Sequence, residues 1–384
     1  MSLEIYLDNS ATTRVHPRVA EVMMRCFTEQ YGNPSSLHTM GAGAERSLEE
    51  AREVVARYLG VSPSEVYFTS GGTEGNNMVL RGGCAARRSW GRHLITTAVE
   101  HPSVLRTCQA LEEEGWEVTY LPVDRQGRID PEDLGRALRE DTALVSVMMV
   151  NNEVGSLQPV EAIGEILKGR TGRRPLFHVD AVQAVGKLPL RPSDWGVDAL
   201  TASGHKFHGP KGVGFLYLRQ GVEVSPLMTG GEQERGLRPG TENVPGAVGL
   251  ARALELSLEE FDARAVAALR DLLVSSVLEG APDAVWNGYP EGAPHIANIS
   301  FPGVSGEMMV HHLAEAGVYV STGSACSSRK PTSHVLEAMG LEEELLQGAL
   351  RFSLSAETTE ADVRRAAAVV VEVYRELKEL FGRG

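Results

Sequence analysis

The sequence predicts an α/β chain built on a mostly parallel, seven-stranded sheet covered by helices, followed by a smaller α+β part. Three observations lead there. Short, almost wholly apolar runs recur through the first 220 residues, as expected of strands covered on both faces. Segments with apolar residues at helical spacing lie between them, an alternation that favours parallel pairing. After about residue 245 the pattern changes to two long helices and a mixed segment.

The strand candidates are 66–69, 93–97, 118–121, 143–150, 176–179, 199–202 and 213–218. Ala44, Leu48, Ala51, Val54, Val55, Tyr58 and Leu59 share one helical face, and Gly60 closes that helix. Residues 160–167 repeat the pattern and stop at Gly169. Helices are also expected over 247–261, 263–278 and 360–380, the last with Val363, Ala366, Val370, Tyr374 and Leu377 in register. No internal repeat or low-complexity tract interrupts this order.

The 384 residues can bury a large core, and 42% hydrophobic with 23% charged residues is ordinary for a globular protein. A net charge of −14 argues against nucleic-acid and anionic-membrane partners, whose phosphates attract cations and repel an acidic body. Two acids near the first residues leave no room for a signal-peptide core, and no apolar run nears the ~20 residues of a membrane span. Cys26, Cys84, Cys108 and Cys326 form no Cys-x-x-Cys pair, so a reducing cytoplasm is the expected location. The first three read as small core residues.

Chemistry concentrates in three stretches. In Phe68–Asn77 a strand runs through Gly71, Gly72 and Thr73 into a helix, so backbone N–H groups and a hydroxyl form a natural phosphate seat. Asp180 stands at the C-terminal end of a buried strand, where open α/β sheets place ligands. Its plain alternative is a helix cap. Lys206 lies just past another strand end, between Ser203, His205 and the turn Gly209–Gly212; Lys211 reads as structural. Lys206 is one of six lysines among 37 basic residues. A lysine to hold an aldehyde cofactor, a carboxylate for a ring nitrogen and donors for a phosphate are what a pyridoxal phosphate (PLP) enzyme needs.

The stretch Ser203–Gly212 resembles the PLP-lysine loop of cysteine desulfurases. Tyr6–Thr13, Gly32–His38, Val99–His101, Val150–Gly155, Arg238–Asn243, Ser324–Cys326 and Leu350–Ser353 agree, so the resemblance covers nearly the whole chain. It implies a fold-type I, aspartate aminotransferase-like homodimer with a large part 14–258 and a small part made of 1–13 and 259–384. Lys206 would hold PLP and shuttle a proton, Asp180 would pair with the ring nitrogen, and Gln183 would approach the ring's phenolic oxygen. His101 would stack on the ring. Gly72, Thr73, Ser203 and His205 would grip the phosphate, with Thr241 entering from a second subunit. Arg351, helped by Asn152, would clamp the substrate carboxylate as a fork. Its setting in Leu-Arg-Phe-Ser-Leu argues against a surface arginine.

Cys326 differs from the other cysteines in its polar, Ser- and Gly-rich surroundings, with Arg329 and Lys330 close by to favour the thiolate. The resemblance implies that this thiolate takes sulfur from L-cysteine, releases L-alanine and passes the persulfide to an acceptor such as an iron–sulfur scaffold. The segment from Cys326 to Ser333 is about a residue shorter, and more basic, than in iron–sulfur-assembly members, and Arg329 with Lys330 would offset the lost length. Selenocysteine lyase, kynureninase and other lyases or aminotransferases of this fold would keep Lys206 and Asp180 without needing Cys326. A non-catalytic scaffold would need none of Lys206, Asp180, His101 and Arg351.

Overall fold

The computed structural model describes residues 4–323 and 333–381. Cys326, Arg329 and Lys330, and the expectations placed on them, lie outside the described residues.

Seven strands form one sheet in the spatial order Val66–Thr69, Gly214–Leu218, Ala199–Ser203, Leu176–Asp180, Thr142–Met148, His93–Thr97, Glu117–Leu121. Five of them pair in parallel, while Gly214–Leu218 runs antiparallel to both its neighbours. All seven positions of Thr142–Met148 are buried, which is why this strand reads as an unbroken apolar run. One core joins the sheet to helices Thr39–Leu59, Val160–Lys168 and Val244–Glu260. A second lies on the other face and contains Cys84 and Cys108, both fully buried; Cys26 is buried under helix Pro17–Thr28.

The strand expected over 143–150 leaves the sheet at Met148. There Asn151 turns the chain, accepting the backbone N–H groups of Glu153 and Val154 on its side-chain oxygen, and Val150 pairs with Leu157 instead. Helix Thr39–Leu59 ends where expected, because Gly60 adopts φ 69°, a left-handed cap that a side chain would strain.

A separate core is built from Ile5 and Leu7 together with residues between Val266 and Leu377. It covers a three-stranded antiparallel sheet ordered Ala349–Ser353, Ile296–Ser300, Val285–Trp286. Helices Ala263–Gly280 and Glu360–Phe381 pack on it. Ile5–Tyr6 pairs in parallel with Val318–Tyr319, and Asp8 bridges to Ser353. The chain start therefore crosses from this core onto the C-terminal edge of the large sheet. No described helix is long and apolar enough to cross a membrane.

One buried ion pair locks the strand that leads into the glycine turn. Arg52 donates to both oxygens of Glu234 at 2.8 and 2.9 Å, and Glu234 also accepts the Phe68 N–H at 3.0 Å. Glu234 and Arg235 hold φ of 45° and 56°, a strained backbone fixed by these bonds. Glu234→Ala leaves the buried Arg52 charge without its main partner and should cost about 3–5 kcal/mol in urea unfolding. Pairing it with Arg52→Met should recover much of that loss.

Candidate active site

The C-terminal ends of the parallel strands bring the expected residues together. Asp180 is the last residue of its strand and 5% exposed. Its Oδ2 accepts from Asn76 Nδ2 at 2.7 Å, and its Oδ1 from the Val182 N–H at 3.0 Å. Asp180 thus caps the turn that follows it, where the sequence offered a helix cap, and it stands at the strand end beside Asn76. Lys206 closes the short 3-10 turn after strand Ala199–Ser203. Its Nζ donates to the carbonyl oxygens of Ser10 and Ala11 at 2.7 and 2.8 Å. Gln183, 4% exposed, donates to the same Ser10 oxygen at 2.9 Å, while its Oε1 is buried without a hydrogen-bond partner among the described residues.

Beside this group lies an open depression lined by Gly71, Gly72, Thr73, Ser203, His205 and Lys211. Gly71 takes φ 147°, and a Cβ on Gly72 would come within 2.7 Å of the Val182 side chain. The helix that starts at Gly72 turns its first N–H groups into the depression, as an anion seat requires. Lys211, expected only to serve its turn, also lines this depression, because Gly212 at φ 75° swings the loop back towards it. Thr241 is exposed and does not line it.

His101 caps helix Pro102–Glu113, and its Nδ1 accepts the Ser103 N–H at 3.1 Å. That bond leaves Nε2 as the protonated nitrogen of the neutral ring. Burial, with the nearby Lys206 and His334 charges, lowers its pKa against the pull of Asp180. His205 is held at about 4 by burial and by Lys206, Lys211 and Lys187, so its ring is neutral at physiological pH. Its Nδ1 meets Thr12 Oγ1 at 3.1 Å.

Arg351 is 4% exposed in strand Ala349–Ser353. It donates from Nη1 to the Asn152 carbonyl oxygen at 2.9 Å and from Nη2 to Asp8 Oδ1 at 2.8 Å, while Nε has no partner among the described residues. Asn152 therefore meets Arg351 through its main chain. Next to it the buried Glu153 accepts from Ser333 Oγ at 2.5 Å and packs against Gly323, the two residues that bracket the segment containing Cys326.

Five contributing residues were not singled out by sequence reasoning. Asn76 lay inside the Phe68–Asn77 stretch, one helical turn after the glycines, and that spacing was the available signal. Asp8, Ser10, Ala11 and Glu153 lay inside the Tyr6–Thr13 and Val150–Gly155 stretches that carry the resemblance, but they act through pairings of distant segments, which no local pattern marks.

The family description aminotransferase class-V matches residues 5–366, and the chain belongs to that family. Within it the relatives are cysteine desulfurases. Cysteine desulfurase IscS of Methanosarcina thermophila is 45% identical over 98% of this chain and 93% of its own. Cysteine desulfurase 1 of Trichormus variabilis is 47% identical over 98% and 94%. Among solved structures a NifS-like protein superposes with a TM-score of 0.92 at 44% identity, covering 98% of this chain and all of the other. SspA in complex with cysteine gives 0.82 at 35% identity over 92% and 100%. Cysteine desulfurases of this family depend on PLP. This chain's residues fit that cofactor: an amine, a fixed buried carboxylate, an amide oxygen without a partner among the described residues and a glycine-walled anion seat lie at the C-terminal edge of the sheet.

Glu100 lies directly under this edge, fully buried, with Oε1 accepting from Met148 N–H and Thr97 Oγ1 and Oε2 unpaired among the described residues. Burial, aided by Asp180, pushes its pKa up to about 8. The folded state therefore holds a proton there that the unfolded chain loses near pH 4.5, so this group's contribution to stability falls as pH rises from about 4.5 to about 8. Glu100→Gln should flatten that part of the stability–pH curve measured by urea unfolding, and the variant should gain most on the wild type above pH 8.

Proposed function

We propose that this chain is a PLP-dependent cysteine desulfurase, removing sulfur from L-cysteine onto its own Cys326 and releasing L-alanine. The observation that carries the reading is the convergence of the Lys206 amine, the fixed Asp180 carboxylate and the Arg351 guanidinium, drawn from three distant segments. Bound PLP supplies an electron sink for charge that develops on the substrate α-carbon.

The chain's residues do the rest. Lys206 holds the cofactor and afterwards moves the α-proton with its ε-amine. Asp180, fixed by Asn76 and the Val182 N–H, would present its carboxyl group to the ring nitrogen. His101 would cover the ring, Gln183 would direct its amide at the phenolic oxygen, and Gly72, Thr73, Ser203 and His205 would receive the phosphate. Arg351 binds the substrate carboxylate beside Asn152, and its buried Nε, without a partner among the described residues, supports this role. The Cys326 thiolate forms an S–S bond as the substrate C–S bond breaks, and the carbon takes a proton to leave as alanine.

Relatives named for cysteine desulfurase activity, and a related structure described in complex with cysteine, support this substrate. The acceptor of the persulfide is a sulfur-assembly protein such as an iron–sulfur scaffold, and the setting is cytoplasmic. A division into 14–258 and 1–13 with 259–384 accords with the separate cores. The chain works as a homodimer in which Thr241 serves the partner's phosphate. The exposed Met24, Phe27, Tyr31 and Leu37 give such a dimer apolar surface to bury.

Wild type, Cys326→Ala and Lys206→Ala, incubated with L-cysteine and scored for alanine and sulfide, test the reading. Wild type and Cys326→Ala should both show the visible band of lysine-bound PLP, and Lys206→Ala should lack it. Only wild type should make alanine and sulfide. Equal turnover by Cys326→Ala would move the assignment to a lyase or aminotransferase of the same fold.

A further inference from the structure

The Arg351 fork is already partly neutralised from within the chain. Among the described residues Arg351 is the sole ion-pair partner of Asp8, at 2.8 Å. Asp8 is held firmly: its backbone bridges to Ser353 in the Arg351 strand, and its carbonyl oxygen accepts from Ala11 N–H at 3.1 Å and Tyr6 Oη at 3.2 Å. The Asp8 side chain keeps 22% of its surface, whereas Arg351 keeps 4%. One guanidinium charge therefore faces a resident carboxylate before any ligand arrives.

We propose that Asp8 sets the strength of α-carboxylate binding by sharing the charge of Arg351. This rests on the reading of Arg351 as the substrate clamp. A ligand carboxylate on the Nε edge would stand roughly 5 Å from the Asp8 carboxylate, close enough for the two charges to act on each other directly. Like charges at that distance repel with an energy that, at an effective dielectric between protein and water, weakens binding about tenfold. Asp8 at the same time orients the fork through Nη2, so its geometric and electrostatic effects oppose each other. The geometric effect survives in an uncharged residue that still accepts the hydrogen bond. Substrate and product are both α-amino carboxylates, so a softened clamp speeds product departure. It also keeps binding energy from being spent on the ground state.

Holoenzyme titrated with L-alanine, followed by the visible band, gives a dissociation constant that does not depend on turnover. Asp8→Asn keeps the acceptor oxygen and removes the charge, and should bind L-alanine about tenfold tighter. Its KM for L-cysteine should fall while kcat does not rise. Asp8→Glu keeps the charge and should stay within about threefold of wild type. Asp8→Ser serves as a second neutral acceptor if the Asn variant loses its visible band or its thermal transition. Neutral variants that bind L-alanine no tighter than wild type overturn the proposal, provided Arg351→Met weakens binding strongly. If Arg351→Met leaves L-alanine affinity unchanged, the clamp reading itself fails and this proposal falls with it.

Discussion

The candidate site depends first on a carboxylate held at the end of a buried strand. A charge at 5% exposure is costly unless its oxygens are occupied, and here each has a donor: Asn76 Nδ2 on one and the Val182 N–H on the other. Asn76 also donates to Ser103, whose N–H fixes the His101 ring. One amide thus ties the glycine-turn helix, the Asp180 strand and the His101 helix to a common frame. The neighbouring Glu100 shows the other way to bury a carboxyl: it has no ion pair among the described residues, and burial holds its proton instead.

The architecture around that frame was legible because the parallel strands are buried on both faces. Periodicity therefore reduces to apolar runs punctuated by turns, and the runs at 66–69 and 93–97 match the observed strands residue for residue. The misplaced end at Met148 has a local cause: Met149 and Val150 are as apolar as the strand before them, and only the Asn151 side chain redirects the chain. Lys206, Asp180 and Arg351 were legible for a different reason, being charged types at strand ends or within apolar strands. Asp8 and Glu153 were not, because each is defined by a partner more than 150 residues away.

The turn Asn151–Gly155 joins what the sequence presents separately. Its Asn152 carbonyl steadies Arg351, and its Glu153 side chain holds Ser333, the cap of helix His334–Ala338. A small apolar cluster of Val99, Met148, Val154, Val335, Leu336, Met339 and Ala349 packs around it. The proposed carboxylate clamp and the two residues bracketing the Cys326 segment therefore share one rigid support. An alteration there reaches both.

The chain's opening residues complete the site: Ser10 and Ala11 hold Lys206, Thr12 and Thr13 hold His205, and Asp8 holds Arg351. Asp8 bridges to Ser353, which lies in a strand far along the chain. Contacts between segments so far apart in sequence are costly to close and form late in folding. Lys206 is thus fixed by carbonyls of a segment that is itself fixed by the strand of Ser353, so the lysine site closes only when both sides of that pairing are in place.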